Sequence, residues 1–201
     1  MKTIIFDIGA NTGDTFLQQA RNGSFVYCFE PTPELINNIK QKGYTNIPTY
    51  FLIEKAISDY NGKSVFHVAG QADWGCSSLL DFSNNLDQTW PNRLDLKVTY
   101  DVEVLVTRMD TFLKENLDIE HIDYVHIDTQ GNDLKVLESF GQKIQIIKSG
   151  VVEVPMNEEV KLYKNQHSKK DMLDFLEKNN FKIIDITKQQ NEENIFFKNN
   201  Q

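Results

Sequence analysis

The chain has 201 residues, 40% of them hydrophobic and 25% charged, which suits a single soluble domain, residues 1–201, with a full core. Its net charge of −8 and pI near 5.0 disfavour a protein that grips a phosphate backbone, which needs a basic patch, so nucleic acid is an unlikely partner. No run approaches the roughly 18 apolar residues of a membrane span, and the start, MKTIIFDIG, lacks a signal-peptide pattern, so the expected location is cytoplasmic.

The first element is the apolar run Ile4-Ile5-Phe6. It ends in Asp7, passes through Gly9-Ala10-Asn11-Thr12-Gly13, and enters a segment whose Phe16, Leu17 and Ala20 recur at helical spacing. Strand, glycine turn and helix in that order place the turn at the carboxyl end of a strand in an open α/β sheet, where cofactors bind. A side chain at Gly9 is expected to take space a ligand needs, and Gly13 to let the helix pack close to the sheet. A dinucleotide would rest its pyrophosphate on the free N–H groups at the helix start. With Asp7 before the glycines and Asp14 expected in the first helical turn, two carboxylates would repel it. S-adenosylmethionine brings an ammonium and a sulfonium and no phosphate, so it suits an acidic mouth. The second strand, Phe25–Phe29, ends in Glu30, roughly 20 positions after the first glycine, the spacing of an acid that accepts from two ribose hydroxyls. Helix capping is the plainer reading of Asp7 and Asp14, but it leaves Glu30 without an explanation.

Pro31-Thr32-Pro33 delays the second helix to Glu34, after which Leu35, Ile36 and Ile39 keep helical spacing as far as Gly43. A third strand is expected from Tyr50 to Ile57, turning through Ser58-Asp59-Tyr60-Asn61-Gly62 into Lys63–Val68 as a hairpin on the same sheet. By position, Ala56, Ile57 and Ser58 are candidate adenine contacts. Residues 70–100 show no clear period and read as a substrate lid, with Trp74, Ser77 and Ser78 as candidate substrate contacts beside Cys76, Trp90 and Arg93. Alternatively, the tryptophans only pin this loop to the core.

Strand-like alternation returns at 102–106, and Met109–Leu117 reads as a helix. Ile122–Asp128 then forms a strand that meets the polar turn Thr129-Gln130-Gly131-Asn132-Asp133 and a helix starting at Leu134. This fourth strand lies next to the first, with its end facing the reacting centre. Ile144–Val154 is expected as strand five, carrying Glu153 and stopping at Pro155. A helix over Asp171–Lys178 and two final strands, Phe181–Ile186 and Asn194–Lys198, complete the chain. Cys28 and Cys76 lack C-x-x-C spacing and read as free thiols, which accords with a reducing compartment.

The stretches FDIGANTG, CFEP, AISDYNG and HIDTQGNDLKVLESF, with VVEV and LEKNNFKII, resemble the FkbM family of S-adenosylmethionine-dependent methyltransferases over most of the chain. The resemblance implies a class I methyltransferase fold: an α/β, Rossmann-like, doubly wound sheet, mostly parallel with an antiparallel edge pair, in the order 3-2-1-4-5-7-6. It also implies O-methylation of a sugar or other small molecule, with S-adenosylhomocysteine as the cofactor's product. Carried over by position, Asp7, Gly9, Asn11 and Gly13 match the cofactor turn, with Ala10 and Thr12 between them. Glu30, followed by Pro31, matches the ribose acid. Asp128 matches the acid ending strand four, and Gln130 stands where many members carry Glu. The cofactor set is thus Asp7, Gly9, Ala10, Asn11, Thr12, Gly13, Glu30, Pro31, Ala56, Ile57, Ser58, Asp128 and Gln130. An Asn or Asp followed by Pro-Pro-aromatic, the mark of enzymes that methylate base amino groups, is missing from the fourth strand's end.

A hydroxyl loses its proton as it attacks a methyl group, so an acceptor nearby helps. Asp128 is the first candidate for that catalytic role, with Glu153 and His167 next. A helix cap is the alternative for Asp128, and His126 reads as a packed strand histidine. No metal is assigned, since nothing in the spacing of Asp128, Asn132, Asp133 and Glu153 demands one. Two other functions share the same turn: a methyltransferase fold that binds the cofactor without turnover, and an NAD-linked oxidoreductase, against which Asp7 and Asp14 argue. No motif identifies the acceptor or the oligomeric state.

Overall fold

The computed structural model describes residues 2–70, 74–93 and 96–200. Its strands are β1 (Ile4–Ile8), β2 (Phe25–Phe29), β3 (Tyr50–Ile53), β4 (Ala56–Ile57), β5 (Gly62–Val68), β6 (Tyr100–Thr107), β7 (Tyr124–Ile127), β8 (Ser149–Pro155), β9 (Phe181–Gln189) and β10 (Glu192–Asn199). Its helices are α1 (Leu17–Arg21), α2 (Pro33–Gln41), α3 (Leu86–Thr89), α4 (Met109–Glu115), α5 (Asp133–Glu138) and α6 (Lys169–Lys178).

All five residues of β1 are buried, as a strand covered on both faces must be, and β1 lies mid-sheet between β2 and β7, parallel to both. The seven-stranded order is β3-β2-β1-β7-β8-β10-β9, the order expected once β4, β5 and β6 are set aside. β10 runs antiparallel to both β8 and β9 and forms the edge pair with β9. Alternation along β1 sends Ile4, Phe6 and Ile8 into the larger core, with Phe29, Ile122, Leu137 and Phe140. Ile5 joins the smaller core on the opposite face, with Val26, Cys28, Ile39 and Tyr50. Asp7 therefore shares that second face.

The third strand differs from expectation. It stops at Ile53, whose carbonyl accepts from both Glu30 and Lys55, and the chain then leaves the sheet. Ala56–Ile57 pairs parallel with β6, and β5 pairs antiparallel with β6, so a separate three-stranded sheet, β4-β6-β5, replaces the expected hairpin. The reason is a core of its own, built by Ala56, Phe66, Val68, Val104 and Val106, with Trp74 and Leu79 packed against it. Strand five also begins later than expected: Gly141–Ile146 winds as 3₁₀ turns before β8 starts at Ser149. Helix α6 begins at Lys169 under a Ser168–Asp171 capping box.

The stretch 70–100 is more ordered than its sequence suggests, although 71–73 and 94–95 lie outside the described residues. Cys76, Trp90, Leu162 and Tyr163 share a small core, and the Trp90 indole donates to the carbonyl of Val160 at 3.1 Å. Trp90 is thus a pin, as the alternative reading had it. Among the described residues no helix is long and apolar enough to cross a membrane.

Candidate active site at the carboxyl ends of the parallel strands

The glycine turn is closed by main-chain bonds. Gly9 and Ala10 both donate to the carbonyl of Phe29 at 3.0 Å, and Gly13 donates to that of Ala10 at 2.8 Å. Gly9 has a φ of +88°, and a Cβ there would lie 1.8 Å from the carbonyl oxygen of Asp128. A glycine is needed here because the ends of β1 and β7 nearly touch. Gly13 does allow close packing, against Tyr50 and Ile39, and its carbonyl accepts from the Tyr50 hydroxyl at 2.8 Å.

Several candidates stand away from the cleft. Asp14 is not in a first helical turn, since α1 begins at Leu17; it is exposed and accepts from the Thr12 hydroxyl at 2.7 Å. Asp7 is fully buried on the other face of β1 and pairs with the Nδ1 of His126 at 2.8 Å. Burial pulls the His126 imidazole down, but the hydrogen bond and charge of Asp7 outweigh it and raise the imidazole overall. Ala10 is buried in the smaller core, while Gly13 and Thr12 serve the turn itself.

A cleft of about 590 Å³, open mouth included, runs along the strand ends. Gly9, Asn11, Glu30 and Pro31 line it from the first two strands, Lys55, Ala56 and Ile57 from the crossing to the second sheet, and Asp128, Gln130 and Asn132 from the turn after β7. Trp74 and Ser77 border it with Phe66 and Leu79. Sequence reading missed Lys55, Phe66, Leu79 and Asn132. The only signal for Phe66 was alternation along β5, and its place depends on the unforeseen sheet. Ser58 and Ser78 are buried off the cleft: Ser58 donates to Asn132 Oδ1 at 3.2 Å, and Ser78 donates to the carbonyl of Gln130 at 2.7 Å.

Glu30 is 4% exposed, and its two oxygens accept from the N–H groups of Asn11 and Thr32, each at 2.8 Å. Burial pushes its carboxyl up to about 7. Each oxygen can accept a further hydrogen bond. Three buried polar atoms around the turn lack any partner: Asp7 Oδ2, Asn11 Oδ1 and Thr129 Oγ1.

The matching model is that of the methyltransferase FkbM domain, over residues 7–183. The chain belongs to the FkbM methyltransferase family. A comparison with curated proteins found no match. Among solved structures, an rRNA methylase from Streptococcus thermophilus is 11% identical, with a TM-score of 0.51, covering 100% of this chain and 88% of the other. A precorrin-6y C5,15-methyltransferase from Geobacter metallireducens is 11% identical, with a TM-score of 0.51, covering 98% and 79%. A magnesium protoporphyrin IX methyltransferase from Synechocystis, solved with bound S-adenosylhomocysteine, is 10% identical, with a TM-score of 0.51, covering 98% and 74%. At these identities the likeness is one of fold: the class I methyltransferase fold.

In this FkbM domain the end of β7 carries a carboxylate cluster. The Gln130 amide Nε2 donates to Asp128 Oδ1 at 2.6 Å and to Glu153 Oε2 at 3.3 Å. Burial raises Asp128 and pushes Glu153 up to about 10, with the Asp128 charge adding to the latter. Glu153 does not border the main cleft. With His167 and Asp133 it lines a separate cavity of about 200 Å³ beyond Gly131, and the Gln130 amide links it to Asp128. Asp133 is turned back to accept from Thr129 and Gly131 N–H at 3.2 Å each, while Asn132 donates to the Ile57 carbonyl at 2.9 Å. Among the described residues no three His, Cys, Asp or Glu side chains are grouped to hold a metal ion.

Proposed function

We propose that this FkbM domain is an S-adenosylmethionine-dependent O-methyltransferase acting on a hydroxyl of a sugar or other small molecule. One observation carries the choice of cofactor: the N–H groups of Gly9, Ala10 and Gly13 are spent on carbonyls while acceptors stand unpaired around them. A pyrophosphate would find few donors in that turn, whereas a ligand bearing an ammonium and a ribose diol brings a donor for the unpaired Asn11 Oδ1 and further donors for the Glu30 carboxylate, which has taken only one on each oxygen. When bound, the cofactor supplies an electrophilic methyl group. Glu30 would accept from the ribose hydroxyls, and the apolar wall of Ala56, Ile57, Phe66 and Leu79 would take the adenine.

Asp128 is the carboxylate that borders the cleft at the strand end, and there it would orient an acceptor hydroxyl and take its proton. Trp74 and Ser77 offer a ring face and a hydroxyl on the acceptor side, a combination suited to a sugar. The buried free thiol of Cys28 supports a reducing, cytoplasmic setting. Calorimetry with S-adenosylmethionine, S-adenosylhomocysteine and NAD tests the cofactor, with the first two expected to bind; binding of NAD alone would overturn the reading. A labelled-methyl screen over polyols, sugars and RNA then tests the acceptor. Because Gln130 already occupies Asp128 Oδ1, a binding protein without turnover is the second reading. Tight cofactor binding with no labelled product from any acceptor would select it.

A further inference from the structure

We propose that Gln130 is a positioning residue for methyl transfer, clasping the loop that carries Trp74 and Ser77 to the end of β7 and holding the Asp128 carboxyl at the cleft. This rests on the methyl-transfer reading only in giving Asp128 its task; the clasp is a matter of geometry.

Gln130 sits at φ +54° ahead of Gly131 at φ +88°, a pair of left-handed residues in a tight turn. Its main-chain carbonyl accepts from the Ser78 hydroxyl at 2.7 Å. Its Oε1 accepts from the Tyr163 hydroxyl at 2.8 Å, and that hydroxyl also lies 2.8 Å from the carbonyl of Cys76. Its Nε2 donates to Asp128 and Glu153. Both polar atoms of the side chain are thus engaged, joining Tyr163 to the end of β7 and to β8, while the main-chain carbonyl and the Tyr163 hydroxyl tie in Ser78 and Cys76 of the 74–78 loop. The Tyr163 ring packs over the turn, where a Cβ on Gly131 would come within 2.8 Å of it.

The amide suits this place better than a carboxylate would. Asp7 already bears on Asp128, and Asp128 in turn raises Glu153, Asp133 and Glu192; His126 opposes this at Asp128 and Arg93 at Glu192. A further negative charge between Asp128 and Glu153 would remove two donors and add repulsion. The amide offers two N–H groups to the carboxyls and a carbonyl to Tyr163, so one side chain serves both the loop and the acid.

Carboxyl ¹³C NMR titration of Asp128, with hydrogen exchange at the Ser77, Ser78 and Leu80 amides, separates the two arms. Gln130→Glu keeps the acceptor for Tyr163 but loses the donors: Asp128 should titrate about one pH unit higher, with loop exchange unchanged. Tyr163→Phe should speed loop exchange about tenfold and leave the Asp128 titration in place. Ser78→Ala, which removes the other tie, serves if Tyr163→Phe does not fold. An Asp128 titration identical in wild type and Gln130→Glu, or loop exchange unmoved when its ties are cut, overturns the proposal. S-adenosylhomocysteine calorimetry on the wild type keeps the two readings apart. Failure to bind would sink the cofactor assignment while the NMR result stands, and binding with an unmoved Asp128 would sink the clasp alone.

Discussion

The turns after β1 and after β7 have the same plan and opposite construction. Each follows a parallel strand, passes through left-handed residues, Gly9 and Asn11 in one and Gln130 and Gly131 in the other, and leads to a short helix. Main-chain bonds close the first turn, and the acid that lines the cleft beside it, Glu30, is held by two peptide N–H groups. Side chains hold the second: Asp128 by Gln130, Asn132 to Ile57, and Ser78 to the Gln130 carbonyl. A scaffold of peptide groups is indifferent to most substitutions, whereas one of side chains can be retuned residue by residue. Cofactor binding is thus expected at the first and acceptor chemistry at the second.

The hardest blow to that comparison is Gly9→Ala. The added methyl meets the main-chain carbonyl of Asp128, in a conformation only glycine adopts easily. A loss of about 3–5 kcal/mol in urea unfolding is expected, together with loss of cofactor binding. A wild-type midpoint would show that the two turns are not wedged together.

Asp128→Asn tests the second turn alone. Turnover of an acceptor found by the screen should fall about 10²–10⁴-fold, while the affinity for S-adenosylhomocysteine stays within about threefold. Undiminished turnover would remove Asp128 from the mechanism.

Glu30→Gln tests the first turn and adds a pH dependence. Glu30 titrates at about 7 when folded and near its ordinary 4.5 when unfolded, so the folded state holds its proton over that window. The stability this represents is complete below about 4.5 and is lost as pH rises through about 7. Cofactor affinity should move the other way, rising severalfold between about pH 6 and 8 as the carboxylate forms. In Glu30→Gln both slopes should flatten; a pH-independent wild type would count against a ribose role.

The smallest contrast is between the two tryptophans. Trp90→Phe loses the bond to Val160 within a packed cluster and should cost about 1 kcal/mol of stability without touching acceptor KM. Trp74→Phe, at the edge of the cleft, should raise acceptor KM and leave stability nearly unchanged.

Much of this architecture was legible in the chain because it is local. Ile4-Ile5-Phe6 reads as a strand ending in Asp7, the glycines after it as a turn, and Glu30 as the acid ending the next strand, each from near neighbours or fixed spacing. What the sequence could not decide depended on distant partners. Nothing near Ala56–Ile57 says that it pairs with Val106–Thr107 rather than extending β3. The alternation at 62–68 is the same whichever sheet receives it. The period of two along β1 left open which face Asp7 takes, and tertiary packing turned it under the sheet to His126 while Asp128 came to border the cleft. Gln130, one letter in a polar turn, acquires its partners only when β8, the 74–78 loop and Tyr163 converge on it. Periodicity and turn chemistry are properties of neighbouring residues and survive in the chain alone; hydrogen-bond partners dozens of positions apart exist only once the chain has folded.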